Sequence, residues 1–155
     1  MLRLSKLTDY AVVVLVRLAR AEGAGPMQTS PGIAAASGIP EPTVAKVLKL
    51  LAGAGLVVSQ RGARGGYRLT RSLAAVPVAE VIAAIDGPIA LAACVDGAEG
   101  ACSTETLCPV RGRWDPVNAA IETALHAISL ADMEQAAIPP AFRVPVPAPS
   151  PWPAV

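Results

Sequence analysis

Aromatic side chains are scarce in this chain: two tyrosines, two tryptophans and one phenylalanine among 155 residues. The core must therefore be filled mainly by alanine, valine and leucine, which suits helices packed through small side chains. The length allows one hydrophobic core with a small appendage. Long apolar runs are also missing. Ala11–Val16 is far short of the roughly 20 residues that span a bilayer, and Met1-Leu2-Arg3-Leu4-Ser5-Lys6 lacks the apolar stretch and cleavage site of a signal peptide. A cytoplasmic chain with no membrane partner is expected. Histidine occurs once, at His126, and cysteine three times. An odd cysteine count argues against a disulfide framework, and no C-x2-C pair of the zinc-finger kind is present. With a single histidine and no nucleophile motif around any cysteine, neither an enzyme nor a small-molecule substrate is expected.

Acidic charge is nearly missing from the first half. Residues 1–71 carry ten Lys/Arg against Asp9, Glu22 and Glu41, a balance of +7, whereas residues 72–155 carry three Arg against nine acids, a balance of −6. The net charge of +1 conceals this division. A basic half joined to an acidic half points to nucleic acid as the partner of the first.

What is present reads in order. Residues 8–22 fit a helix better than a strand, despite Val12-Val13-Val14, because of their length, the Arg17/Arg20 spacing and the stop at Gly23. Being apolar almost all round, this helix is expected to be buried. Ser30-Pro31 reads as an N-cap followed by proline at the first helical position, opening a short helix that ends at Gly38. Pro42 opens the next in the same way. There Val44, Val47, Leu48 and Leu51 share one apolar face and Thr43, Lys46 and Lys49 lie opposite. Two short helices joined by a glycine-containing turn, the second with a basic outer face, make a helix-turn-helix. Leu56–Gln60 and Tyr67–Thr70 read as strands around Arg61-Gly62-Ala63-Arg64-Gly65-Gly66. The result is a winged helix-turn-helix, mainly α with a small β-hairpin wing, whose Arg61, Arg64 and Arg68 bring charge to a glycine-rich tip.

A short helix over Val78–Ile85 ends at the turn Asp86-Gly87-Pro88. Then Cys94, Cys102 and Cys108 fall within fifteen residues, spaced C-x7-C-x5-C, among Gly97 and Gly100. Clustered cysteines in a glycine-rich loop, with proline after the last, suit an iron–sulfur cluster. Inert buried thiols, a redox pair with one spare and a zinc site are the alternatives. Val110, Trp114, Val117, Ile121, Leu125 and Ile128 recur every three or four residues and are read as a helix that makes a homodimer. Asp115-Pro116 either begins or bends it, and Ser129–Asp132 has the shape of a capping box. From Ile138 seven of eighteen residues are proline, read as an extended, disordered tail. The expected map is a DNA-binding domain over 1–86, a cluster loop over 87–109, a dimer helix over 110–137 and the tail.

The opening Met-Leu-Arg-Leu-Ser-Lys-Leu-Thr-Asp-Tyr-Ala resembles the winged-helix regulators that include IscR and NsrR (the Rrf-two family). So do Gly55-Leu56-Val57, the Arg61–Tyr67 wing, the cysteine triplet, Trp114 and Ser129-Leu-Ala-Asp132, and the likeness covers residues 1–135. Within the family the chain looks most similar to regulators of the SUF iron–sulfur assembly operon. The resemblance implies a homodimeric transcription factor, usually a repressor, on a double-stranded DNA operator. It implies a 2Fe-2S or 4Fe-4S cluster on Cys94, Cys102 and Cys108, with Thr43, Lys46 and Arg61 in the DNA-meeting region. It also aligns Asp9 with a carboxylate ligand of NsrR-like members, donated from the partner's first helix.

Two departures stand out. The first cysteine spacing is x7 where x5 is common among IscR-like members, and Arg111 stands where those proteins place a histidine. The fourth ligand is therefore open between Asp9 and the weaker Glu99 and Glu105. Sensing nitric oxide or oxidant, and an iron–sulfur carrier or electron-transfer protein, are the rival functions.

Overall fold

The computed structural model describes residues 3–21, 27–93, 95, 107–110 and 112–135. Helix α1 spans Lys6–Ala21, with the Ser5 hydroxyl accepting from the Thr8 N–H at 3.2 Å. It is not buried all round. Thr8, Ala11, Val14, Leu15 and Leu18 face the core, while Asp9, Val13, Arg17 and Arg20 are exposed. The 3.6-residue period overrides the β-branched run, so one stripe packs against the later helices and the other side meets solvent.

Helix α2 spans Ser30–Ser37 and is capped by Thr29 rather than Ser30: the Thr29 hydroxyl accepts from the Gly32 N–H at 3.2 Å. Gly38 ends it in the left-handed conformation, φ 72°, donating to the Ala34 carbonyl. Helix α3 spans Glu41–Gly53 behind Pro40, one residue earlier than the Pro42 start, and Val44, Val47, Leu48 and Leu51 are wholly buried.

Strands β1 (Val57–Gln60) and β2 (Gly66–Leu69) pair antiparallel, Val57 opposite Leu69 and Gln60 opposite Gly66. A third lane lies on the free side of β2. Tyr67 donates to the Gln28 carbonyl at 2.8 Å and receives from the Gln28 N–H at 3.1 Å. This approach requires Gly66, at φ 153°, because a Cβ there would lie 2.6 Å from the Gln28 oxygen.

After a 3-10 turn at Leu73–Ala75, helix α4 spans Val78–Asp86 and packs on α1 and α3. Its last residue is fastened to the start of α1: the Thr8 hydroxyl and the Ser5 N–H donate to one Asp86 carboxylate oxygen at 2.8 and 3.2 Å.

Among its described residues, the segment 110–137 read as a dimer helix is not a single helix. Helix α5 covers Asp115–His126, beginning at the Asp-Pro start, and α6 covers Leu130–Glu134. Ser129 separates them, its hydroxyl accepting from the Asp132 N–H and the Asp132 carboxylate receiving the Ser129 N–H, a complete capping box. Beyond this break the chain rejoins the first domain. Val78 donates to the Ile128 carbonyl and Leu130 to the Val76 carbonyl, both at 2.9 Å, and Leu130 is wholly buried among residues of the winged helix. The last helix thus belongs to the core assigned to residues 1–86. The proline-rich tail from Ile138 lies outside the described residues.

Candidate nucleic-acid interface and cysteine segment

Because α3 buries Val44, Val47, Leu48 and Leu51, its opposite side must face out. Pro42, Ala45, Lys46 and Lys49 form that exposed line with Glu41 at its head, while Thr43 is half-buried at the edge. In the wing Arg61, Arg64 and Arg68 are all exposed. Among the described residues none of these five cations is in an ion pair. Two other arginines are: Arg20 meets Glu134 at 2.9 Å and Arg71 meets Glu80. The contrast is electrostatic. Paired cations contribute little to the outer potential, whereas an unpaired set on one helix and one hairpin retains its charge for a polyanion.

The wing's shape follows from its glycines. A Cβ on Gly65 would lie 2.3 Å from the Gln60 carbonyl oxygen, so any side chain there would force the tip open. The narrow turn keeps Arg61 and Arg64 at the extremity. The Gln28 lane that braces β2 was not anticipated. Its only sequence signal is a short stretch between two helices, too brief for a period.

The cysteine segment is described only at its ends. Cys108 is half-buried and free, while Cys94, Cys102, Glu99 and Glu105 lie outside the described residues. Just after Cys94, Val95 is buried and donates to the Ala92 carbonyl at 3.1 Å. Asn118 of α5 fastens this entry. Its side-chain N–H donates to the Ile89 carbonyl at 2.9 Å and its side-chain oxygen receives the Leu91 N–H at 3.0 Å. Asn118 is one of two buried polar residues among those described, and sequence reasoning missed it. A polar residue within an apolar repeat is the signal that was available.

Asp9 is exposed in the first turn of α1, in a groove of about 430 Å³ beside Leu4, Val12, Val78, Val81 and Met133. Among the described residues its carboxylate has no hydrogen-bond or ion-pair partner. His126 is exposed and 4.0 Å from Glu122, on α5 and apart from Cys108 in sequence. The described residues hold no group of three or more His, Cys, Asp or Glu that would bind a metal. The donor set is nonetheless of the right kind: three thiols within fifteen residues, the last of them unbonded, match the thiolate ligation of an iron–sulfur cluster.

Two carboxyl groups titrate below their ordinary value. At Asp86 partial burial pushes the pKa up, but donation from Ser5 and Thr8 outweighs it. At Asp132 the Ser129 hydroxyl and N–H stabilise the anion. Both belong to structural anchors outside the basic face. No described helix is long and apolar enough to cross a membrane.

Residues 4–136 match the family model Rrf2, described as an iron-dependent transcriptional regulator. The chain is 30% identical over 151 residues to the HTH-type transcriptional regulator IscR of Cereibacter sphaeroides, covering 92% of this chain and 97% of that one. Among solved structures it is similar to CymR, the global cysteine regulator of B. subtilis, with a TM-score of 0.66 and 28% identity over 88% of this chain and 98% of that one. It is also similar to T. potens IscR, with a TM-score of 0.59 and 31% identity over 92% and 93% of the two chains.

Proposed function

Because the chain belongs to the Rrf2 family of iron-dependent transcriptional regulators, we propose that it is a homodimeric DNA-binding repressor whose operator affinity follows the state of an iron–sulfur cluster, with SUF-type cluster-assembly genes as targets. As a family member it is a transcriptional regulator and not an enzyme. The observation that carries the DNA reading is the unpaired cationic face of α3 and the wing. Thr43, Lys46, Lys49, Arg61, Arg64 and Arg68 are its proposed contacts. Helix α3 enters the major groove, and the wing follows phosphates or the neighbouring minor groove.

Cys94, Cys102 and Cys108 would hold a 2Fe-2S or 4Fe-4S cluster, with Asp9 as the fourth ligand, donated across the dimer. The family's iron dependence supports a metal at these thiols. When bound, such a centre supplies a redox-active, loss-prone charge whose presence can be read by the protein. The chain's own part is to transmit that state. Asn118 ties the entry of the cysteine segment to α5, and Ile128–Leu130 tie the end of α5 to the residues that lead into α4. The exposed line of Val110, Trp114 and Val117 suits a second copy. A dimer would set two α3 helices about one turn of duplex apart, and a coupling of about 1–3 kcal/mol would change operator affinity roughly 5- to 150-fold.

Sensing oxidant or nitric oxide at the same thiols is a second reading. The unbonded, partly exposed thiol of Cys108 supports it. The basic wing speaks against an iron–sulfur carrier, which has no use for Arg61, Arg64 and Arg68 beside a narrow tip.

The test is operator affinity of cluster-loaded and cluster-free protein across a salt series. Loaded and free forms should differ, and equal affinities would remove the cluster from control. Arg61→Ala and Arg64→Ala should each lower the salt slope by about 0.9 for every phosphate that the arginine neutralises. An unchanged slope would take that arginine off the interface.

A further inference from the structure

The outward line of α3 is chemically narrow. Pro42, Ala45, Lys46 and Lys49 stand at i, i+3, i+4 and i+7, opposite four wholly buried residues, with Glu41 exposed at the head. Adenine is recognised in the major groove by a side chain that donates and accepts together, asparagine or glutamine. Neither occurs anywhere in α3. Lysine offers donors only, which suit the O6 and N7 acceptors of guanine. Alanine offers a methyl group, which packs on the 5-methyl group of thymine. Glu41 only accepts, and the cytosine amino group is the donor it would meet.

The start of α3 is also poorly made for phosphate. Pro40 and Pro42 carry no N–H, the Thr43 N–H is engaged by the Pro40 carbonyl at 2.9 Å, and Glu41 adds negative charge. Phosphate contacts therefore fall to Lys49, one turn further along, and to the wing. The first half of the helix is left for base edges, as recognition helices place it.

We propose that α3 reads guanine through Lys46 and thymine through Ala45 in the major groove, and leaves adenine without a bidentate reader. This rests on the DNA-binding reading above and specifies its ligand. Each half-site then has an invariant guanine and thymine under α3, and tolerance to substitution elsewhere comes from contacts made only to phosphates.

The experiment uses the full chain and a random-sequence duplex library to select bound sites. Two atoms are then edited in the selected site. Replacing the thymine by deoxyuracil removes only its methyl group and should weaken binding about fourfold. Replacing the guanine by 7-deazaguanine removes its N7 acceptor and should weaken binding roughly tenfold. Ala45→Gly should abolish the first penalty and Lys46→Ala the second, each leaving the other penalty intact. Arg61→Ala, weakening all sites alike, controls for general loss of affinity. Selected half-sites without a constant guanine and thymine, or variants that retain both penalties, would overturn the proposal while leaving DNA binding in place. Failure to enrich any duplex would instead bring down the DNA-binding reading, and this one with it.

Discussion

The stretch from Lys6 to Asp86 and the stretch from Gly87 to Ala127 are held by different means. The first is closed by a continuous apolar core in which ten or more side chains, from Val14 to Val81, are almost entirely removed from water. In the second, Val95 and Asn118 are the buried residues among those described. Each fully buried aliphatic side chain contributes about 1.5–3 kcal/mol. Among the described residues of the second stretch the attachments are few and specific, chiefly the two Asn118 hydrogen bonds and, just beyond it, the backbone bridge at Ile128–Leu130. A regulator needs a rigid reader and a part that can change state, and segments with little buried apolar surface open at the lowest free energy.

The largest effect that would break this comparison is expected at Leu130. It lies in the acidic half of the chain but within the core of the basic half, so Leu130→Ala should lower the stability of the winged helix by about 2–5 kcal/mol in urea unfolding. A drop below about 1 kcal/mol would detach α6 from that core. Asn118→Ala comes next. It removes two part-buried hydrogen bonds, to the Ile89 carbonyl and from the Leu91 N–H, and should cost about 1–3 kcal/mol. Amide exchange should rise at Leu91 while α3 stays protected, and uniform loss of protection would make the two stretches one cooperative unit. The smallest effect concerns acid. Asp86 titrates below its ordinary value, so its stabilising contribution is present above that value and is lost as pH falls through the lower, folded pKa. Asp86→Asn should therefore reduce Tm near neutrality and converge on the parent as pH falls through the lowered pKa. A constant difference across that range would discount the Ser5 and Thr8 donors.

The sequence was legible where periodicity governs. Val44, Val47, Leu48 and Leu51 declare the buried side of α3, and Arg61–Gly66 declares the tip of a hairpin. The capping box at Ser129–Asp132 was readable for the same reason, because its chemistry is local. The misreadings share a different cause. Thr29 displaced Ser30 as the cap because the choice depends on which hydroxyl reaches the Gly32 N–H. The bridge from Gln28 to Tyr67 and the return of Leu130 to the core join residues far apart in the chain, and no local pattern encodes such pairings. Asn118 was missed because its partners, Ile89 and Leu91, offer only backbone atoms, which every residue has. The cysteine triplet was visible as chemistry, but its arrangement is not a matter of spacing.

The bridge at Ile128–Leu130 has a consequence for the order in which the protein is made. The core of the reader is complete only once Leu130 has been synthesised, because that side chain is buried within it. At about 5–20 residues per second, the stretch from Asp86 to Glu134 takes roughly 2–10 s to emerge. All three cysteines are translated within that interval. All three thiols are therefore synthesised before the core beneath the DNA-binding surface is complete.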